Sequence, residues 1–367
     1  MKNNKTITIV SNKITRGDGQ GRVNYEIAKA ALSNDYRVNL ITTEADHELV
    51  KLGANIIQIK KLPLPELFSL LYFVSNANRI VKKIQSKGTV VANGFSITTP
   101  HDLNIAHFVH FGWLNSGYYQ PKMSLFKPKS WYYNLYTRLN CYFEKISFSR
   151  ARKIVAVSMM ISDELTSIGI AKEKITMIDN GVDCDEFYPT KKAHSKNLKL
   201  AFVGDLKSTR KNLETVFLAI QSIKNVQLLV VGNHENSIYP KLAKKFMVDE
   251  KVKFLGYSKN IAKILRGCDV FVFPSRYDPF GLVVMEAMAS GLAVVTSKKV
   301  GSWQIANRAN AGIIENPEDF ENLKVILEKF VKHDTFREKC QVESRRIALD
   351  YDWKFVTKKY LKIIESL

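Results

Sequence analysis

Apolar and polar positions change period along this chain, most plainly in its second half. Short runs of nearly continuous apolar character fall at Leu198–Val203, Val226–Val231, Val252–Leu255, Val270–Phe273 and Leu292–Thr296. Between them, helical spacing appears at Asn212–Ile223, Tyr239–Val248, Asn260–Arg266 and Gly281–Ala289. A strand that is apolar on both sides is covered on both sides. Such strands alternating with helices predict a doubly wound parallel sheet. Several runs end in turn chemistry (Val203-Gly204-Asp205, Val231-Gly232-Asn233, Leu255-Gly256-Tyr257), and sheets of this kind bind ligands beyond the carboxyl ends of their strands.

The first half repeats the theme less regularly. Strands are expected at Thr6–Ser11, Arg37–Thr42, Asn55–Ile59, Val90–Asn93, Ile105–Val109, Lys153–Val157 and Ile175–Asp179. Helices are expected at Gly21–Ser33, Pro65–Gln85, Trp131–Phe148 and Met159–Ile168. Apolar periodicity lapses over Phe187–Asn197. The expected organisation is therefore two Rossmann-like α/β domains, residues 1–190 and 191–350, facing each other across a cleft that suits two substrates.

Length agrees, since 367 residues exceed one ordinary core and suit two domains of roughly 150–200 residues. The net charge of +20 asks for an anionic partner: nucleic acid, an acidic membrane surface or a phosphorylated substrate. Cys141, Cys184, Cys268 and Cys340 are widely spaced, which argues for free thiols in a reducing compartment rather than a zinc site. The opening Thr6–Ser11 stretch reads as a strand rather than a signal-peptide core. The longest apolar run, Leu70–Val74, is far short of the ~20 residues of a membrane helix. A cytoplasmic protein is expected.

One segment qualifies that. Tyr118–Lys153 carries ten aromatic residues, eight Lys or Arg, and Glu144 as its only acid. Helical spacing puts Trp131, Leu135, Leu139, Tyr142 and Ile146 in the core, leaving Tyr132, Tyr133, Tyr136, Arg138 and Lys145 on other faces. The composition suits a peripheral patch on an anionic inner-membrane leaflet; it would also suit single-stranded nucleic acid or a solvated face. The scatter of Lys through the chain, without a stripe, disfavours nucleic acid as the partner.

The densest chemistry lies in Phe273–Thr296, where Asp278 and Glu286 sit eight positions apart around Pro279-Phe280-Gly281. An apolar strand enters that turn and a short helix leaves it. Unpaired amides at the helix start, Gly281 and Leu282, attract phosphate, while a carboxylate further along accepts hydrogen bonds from sugar hydroxyls. Glu286 precedes Ala-Met-Ala-Ser-Gly, small apolar residues among which a carboxylate needs partners. Phosphate and sugar together suggest a nucleotide-sugar.

These residues resemble the E-x7-E signature of the retaining glycosyltransferases of family 4 (glycosyl transferases group 1), with Asp278 in place of the first Glu, Glu286 as the second, and Ala293 where Pro is usual. Phe202–Val216 resembles the family's second block, which places Lys211 on the donor diphosphate. The family's Arg is Asp205 here, and Arg210 is the neighbouring candidate for the missing fork. Asp18–Ala28 resembles the first glycine loop, with Gly19 where bare backbone approaches the donor phosphates and the acceptor. In His107-Phe-Val-His110 the second histidine matches the family's active-site histidine. Neighbours three apart on a strand face opposite ways, so His107 is expected beneath the sheet. Asn180-Gly181 matches a turn near the domain junction.

The resemblance implies a GT-B fold whose final helix (Tyr351–Leu367) returns to the first domain, and transfer of a sugar from a nucleotide-sugar to a hydroxyl of a glycan or lipid-linked acceptor with retention. It implies donor binding by Gly19, Arg210, Lys211, Phe280, Gly281, Leu282 and Glu286, and catalysis by His110, Asp278 and Lys211. No Asp-x-Asp metal site is evident and Lys211 can serve the diphosphate, so neither metal nor cofactor is expected. Bacterial capsule or lipopolysaccharide synthesis is the implied setting. The Asp205 and Asp278 departures leave a second reading open: a nucleotide-sugar-binding protein with little or no turnover.

Overall fold

A computed structural model of the chain describes residues 5–17, 19–84, 87–119, 128–191 and 197–367, with backbone only at 128–130. Asp18 and parts of the 118–153 and 187–197 segments lie outside the described residues. The chain divides into two compact units, residues 1–180 with 353–367, and residues 181–352.

The first unit is built on a seven-stranded parallel sheet, in the order Asn55–Gln58, Arg37–Thr42, Thr6–Val10, Thr89–Asn93, His101–Ala106, Ala151–Ala156, Ile175–Met177. Ile7, Ile9, Val10, Leu40, Ile41, Val90 and Val91 are fully or almost fully buried, the expected consequence of helices on both faces. The helix Glu66–Ile84 lays Phe73, Val74, Ala77 and Val81 against Val10, Ile41 and Ala92. The spacing of those four residues forms a single helical stripe. The last helix, Trp353–Glu365, packs on Gly19–Ser33 within this unit.

The second unit carries a six-stranded parallel sheet, in the order Val252–Gly256, Val226–Val231, Leu198–Val203, Val270–Phe273, Ala293–Ser297, Gly312–Ile314. In both units the strand order reverses beside the first strand, which opens a crevice beyond the carboxyl ends. Residues 303–349, unassigned from the sequence, supply the last strand and the helices Trp303–Asn307, Phe320–Lys332 and Asp334–Leu349. The second unit begins at Gly181 rather than after residue 190, because the 181–189 stretch is tied to it. The Val182 amide donates to the Tyr351 carbonyl at 2.9 Å, and the Arg345 guanidinium donates to the carbonyls of Phe187 (2.7 Å), Ala289 (2.8 Å) and Cys184 (3.3 Å).

Two expectations fail in instructive ways. The strand expected at Ile105–Val109 ends at Ala106, and His110 opens a short helix, His110–Leu114. The alternation rule therefore does not govern His107 and His110. The helix at Pro128–Arg150 forms with the opposite side inward: Trp131, Leu135 and Tyr142 are 50%, 53% and 64% exposed. Its buried side is Asn134, Thr137, Asn140, Glu144, Ser147 and Phe148. That side covers strand-end loops, whose backbone groups need partners. Ser147 Oγ donates to the Gly94 carbonyl at 2.9 Å and accepts from Asn104 Nδ2 at 3.1 Å.

Candidate functional site

In the second unit, the loop after Leu198–Val203 and the loop after Val270–Phe273 leave adjacent strands and are stitched together. The Arg210 carbonyl accepts from the Arg276 amide (2.9 Å) and from Ser275 Oγ (3.2 Å). Arg276 in turn donates to the Thr209 carbonyl and grips both oxygens of Glu318. This lattice brings Lys211 and Asp278, 67 positions apart in sequence, into a largely buried ion pair. The Lys211 ammonium also lies 5.1 Å from the centroid of the Phe273 ring.

Burial pushes the Asp278 carboxyl up, but the Lys211 charge and hydrogen bond, with Arg210 and the Phe280 amide, outweigh it and hold the group below the usual carboxylate range. Burial and the neighbouring Arg210 lower Lys211 against the opposing pull of Asp278 and Asp205. Two cations and two carboxylates thus share one small volume.

The turn beyond Asp278 is equally fixed. The Asp278 amide donates to the Lys299 carbonyl (2.9 Å), the Gly301 amide to the Asp278 carbonyl (2.9 Å), and the Ser302 amide to the Phe280 carbonyl (2.8 Å). The Phe280 amide donates to Asp278 Oδ1 at 3.3 Å. Gly281 then adopts φ +81° as the cap of the Leu282–Ala289 helix. A Cβ there would lie 2.5 Å from Val300 Cγ1, so both conformation and space demand glycine. The amides of Leu282 and Val283 open the helix and have no intrahelical acceptor. Glu286, four residues after Leu282, shares its face of that helix.

In the first unit a cavity of about 450 Å³ opens beyond the carboxyl ends of Thr6–Val10, Thr89–Asn93 and His101–Ala106. Ser11, Gln20, Asn93, His107, His110 and Glu144 contribute to its wall. Burial pushes the His107 imidazole down to about 3. It is therefore neutral at any working pH, and its Nε2 has no hydrogen-bond partner among the described residues. Asn93 Nδ2 is likewise unpartnered there. His110 Nδ1 lies 2.7 Å from Glu144 Oε1, while the His110 amide donates to Glu144 Oε2 at 2.8 Å.

The sequence-derived residues thus fall into two groups. Arg210, Lys211, Asp278, Gly281, Leu282 and Glu286 gather at the strand ends of the second unit. Gly19, the exposed first residue of its helix, and His110 belong to the first unit. Phe280 is set apart, since the residue is only 3% exposed and packs as an anchor of the turn. His107 lines the same cavity as His110 instead of lying beneath the sheet. In the sequence Glu144 stands out only as the lone acid of a basic segment, and that isolation is its one signal. Among the described residues no group of three or more His, Cys, Asp or Glu is arranged to hold a metal ion. No helix among them is long and apolar enough to cross a membrane.

Both units are thus doubly wound with polar groups at their switch points, and the second sets a buried cation beside a helix start. Residues 17–186 match Glycosyltransferase Family 4 and residues 185–346 match Glycosyl transferases group 1, and the chain belongs to this glycosyltransferase family. It is 23% identical to an uncharacterized glycosyltransferase of Methanocaldococcus jannaschii, over 92% of this chain and 91% of that one. It is 25% identical to the N,N'-diacetylbacillosaminyl-diphospho-undecaprenol alpha-1,3-N-acetylgalactosaminyltransferase of Campylobacter jejuni, over 61% of this chain and 62% of that protein. Among solved structures, WaaG, a glycosyltransferase involved in lipopolysaccharide biosynthesis, superposes with a TM-score of 0.79 at 20% identity, covering 98% of this chain and 99% of its own. The fold is the GT-B type, two Rossmann-like units.

Proposed function

We propose that the protein is a retaining, metal-independent glycosyltransferase that moves a sugar from a nucleotide-sugar to a hydroxyl of a glycan or lipid-linked acceptor, in bacterial surface-polysaccharide synthesis. The observation that carries this is the Lys211–Asp278 pair beside the Gly281–Glu286 helix start. The second unit holds the donor. Its diphosphate takes Lys211 and the Leu282 amide, Arg210 stands beside it, and Glu286 receives the ribose hydroxyls. Exchange of partners is central: as phosphate replaces Asp278 at Lys211, the freed carboxylate turns to a hydroxyl of the sugar.

The departing nucleoside diphosphate is anionic, so fixed cations and amides lower the barrier, each by roughly 3 kcal/mol as one oxyanion-type donor. The first unit holds the acceptor near Gly19 and His110, and no side chain acts as nucleophile. A lipid-linked or lipopolysaccharide acceptor is supported by the names of the Campylobacter relative and of WaaG.

The outward stripe of the Pro128–Arg150 helix supports a second element of the reading, contact with an anionic membrane surface from the cytoplasmic side. Trp131, Leu135, Arg138, Tyr142 and Lys145 are all exposed, while Glu144, the helix's only acid, is turned inward. Aromatic rings with basic neighbours are what an interfacial helix presents to acidic headgroups.

The test is a thermal-shift screen of UDP-, GDP- and ADP-sugars, since a bound donor raises apparent stability by linkage. It is followed by nucleoside diphosphate release with the stabilising donor. Lys211→Ala and Glu286→Ala are each expected to abolish release while the protein stays folded. Near-normal turnover in either variant would overturn the assignment. Binding without release would instead identify a non-catalytic nucleotide-sugar-binding protein.

A further inference from the structure

Glu144 is buried in the wall of the first unit's cavity, and both its oxygens face His110. Oε2 accepts from the backbone amide at 2.8 Å and Oε1 lies 2.7 Å from Nδ1. The imidazole is flanked by Phe108, centroid to centroid 4.8 Å, and by Tyr136 at 6.2 Å, both edge-on. Its side chain keeps 21% of its surface, against 5% for Glu144. Two contacts from one carboxylate and two aromatic walls fix the ring's position and leave one nitrogen, Nε2, for the cavity.

The polarity of that nitrogen follows from the carboxylate. An ionised carboxylate only accepts, so Nδ1 must carry the hydrogen, and the neutral ring then has its lone pair on Nε2. We infer that Glu144 is a positioning residue: it holds His110 in the Nδ1–H tautomer and so makes Nε2 a hydrogen-bond acceptor toward the cavity. The partner this selects is a group that can donate. A sugar hydroxyl donates, whereas an ionised phosphate oxygen only accepts and would meet a lone pair. The Asn93 Nδ2 donor in the same wall gives that hydroxyl's oxygen something to accept from. The cavity is thereby matched to a hydroxyl-bearing acceptor unit. The kinetic consequence rests on the glycosyltransferase reading; the tautomer does not.

The experiment uses the full chain with nitrogen-15-labelled histidine, at a pH above the titration of the ring. The His110 signals are assigned by their loss in His110→Gln. The wild type is expected to show a protonated, pyrrole-like Nδ1 and an unprotonated, pyridine-like Nε2 at this residue. Glu144→Gln replaces one acceptor oxygen with an NH2 donor, so it cannot accept from both the His110 amide and Nδ1. It is expected to shift the population toward Nε2–H. An Nε2–H tautomer in the wild type, or an unchanged tautomer in folded Glu144→Gln, overturns the inference. Where a nucleotide-sugar is turned over, kcat for Glu144→Gln should fall on the order of 10²-fold with its KM for that donor unchanged. A parallel loss in KM with an unmoved tautomer would mark a merely structural residue. Failure of every donor would refute the proposed reaction while the spectra still decide the role of Glu144.

Discussion

Replacing Gly281 by alanine tests the donor-side turn most directly. The residue sits at φ +81° and ψ 62°, and an L-residue held in the left-handed region costs roughly 1–2 kcal/mol. The added Cβ would fall 2.5 Å from Val300 Cγ1, and Val300 is fully buried, so it has little room to retreat. Overpacking of this kind costs about 1–3 kcal/mol. The sum is about 2–5 kcal/mol, or a loss of about 4–20 °C in the melting temperature of a unit this size.

Gly256, in the same unit, separates the two contributions. Its φ is also positive, +73°, but a Cβ there would have nothing nearer than His234 Cε1 at 3.9 Å. Gly256→Ala should therefore lose only the backbone part, about 1–2 kcal/mol. Urea denaturation read by hydrogen exchange in peptides spanning residues 270–297 reports on this unit. A double-mutant cycle closes the argument: Val300→Ala removes the colliding methyl, so Gly281→Ala should cost about 1–3 kcal/mol less in that background. If Gly281→Ala costs no more than Gly256→Ala, or if Val300→Ala brings no relief, the close approach of these two loops is wrong.

Three further expectations follow from charge and exposure. The Asp278 carboxyl is held below its unfolded value, so its stabilisation is present above an unfolded value of about 3.9 and disappears as pH falls through the folded one. Asp278→Asn should flatten that acid limb in urea titrations, and an unchanged limb would deny the pairing with Lys211. His107 acts in the same direction over a higher window: with a folded value near 3 against 6.5 for the free side chain, the unfolded chain binds the extra proton between the two. The first unit should lose about 1.4 kcal/mol per pH unit on acidification through that window, and His107→Gln should remove the slope. Replacing Trp131, Leu135 and Tyr142 by serine should shift stability by no more than about 0.5 kcal/mol each, as exposed positions do. The same change should abolish co-sedimentation with vesicles containing anionic lipid; retained binding would place the membrane contact elsewhere.

The sheets were legible because their inner strands are buried on both faces. Leu198–Val203 and Val270–Phe273 need no partner in the sequence to declare themselves. The site was legible where chemistry is local, as at Gly281, Leu282 and Glu286 on a single helix start. It was illegible where partners are distant. Nothing near Lys211 announces Asp278, and nothing near His110 announces Glu144, 34 positions on. The Pro128–Arg150 helix shows a different limit. Periodicity finds an apolar stripe but not which side the protein covers. Here the loops beneath the helix need hydrogen-bond partners, which Glu144 gives to the His110 amide and Ser147 to the Gly94 carbonyl, so these residues lie inward and Trp131 outward.

The return of the last helix bears on how the protein is made. Trp353, Val356, Tyr360, Leu361 and Ile364 are buried in the first unit, and Tyr36 Oη donates to Glu365 Oε1 at 2.5 Å. During synthesis, then, the apolar side of Gly19–Ser33 waits uncovered while the whole second unit is being built. Domains usually fold as they emerge, the earlier one first. In this chain the unit begun first is completed last, and a nascent first unit exposes a ready surface for chaperones until residue 365 has left the ribosome.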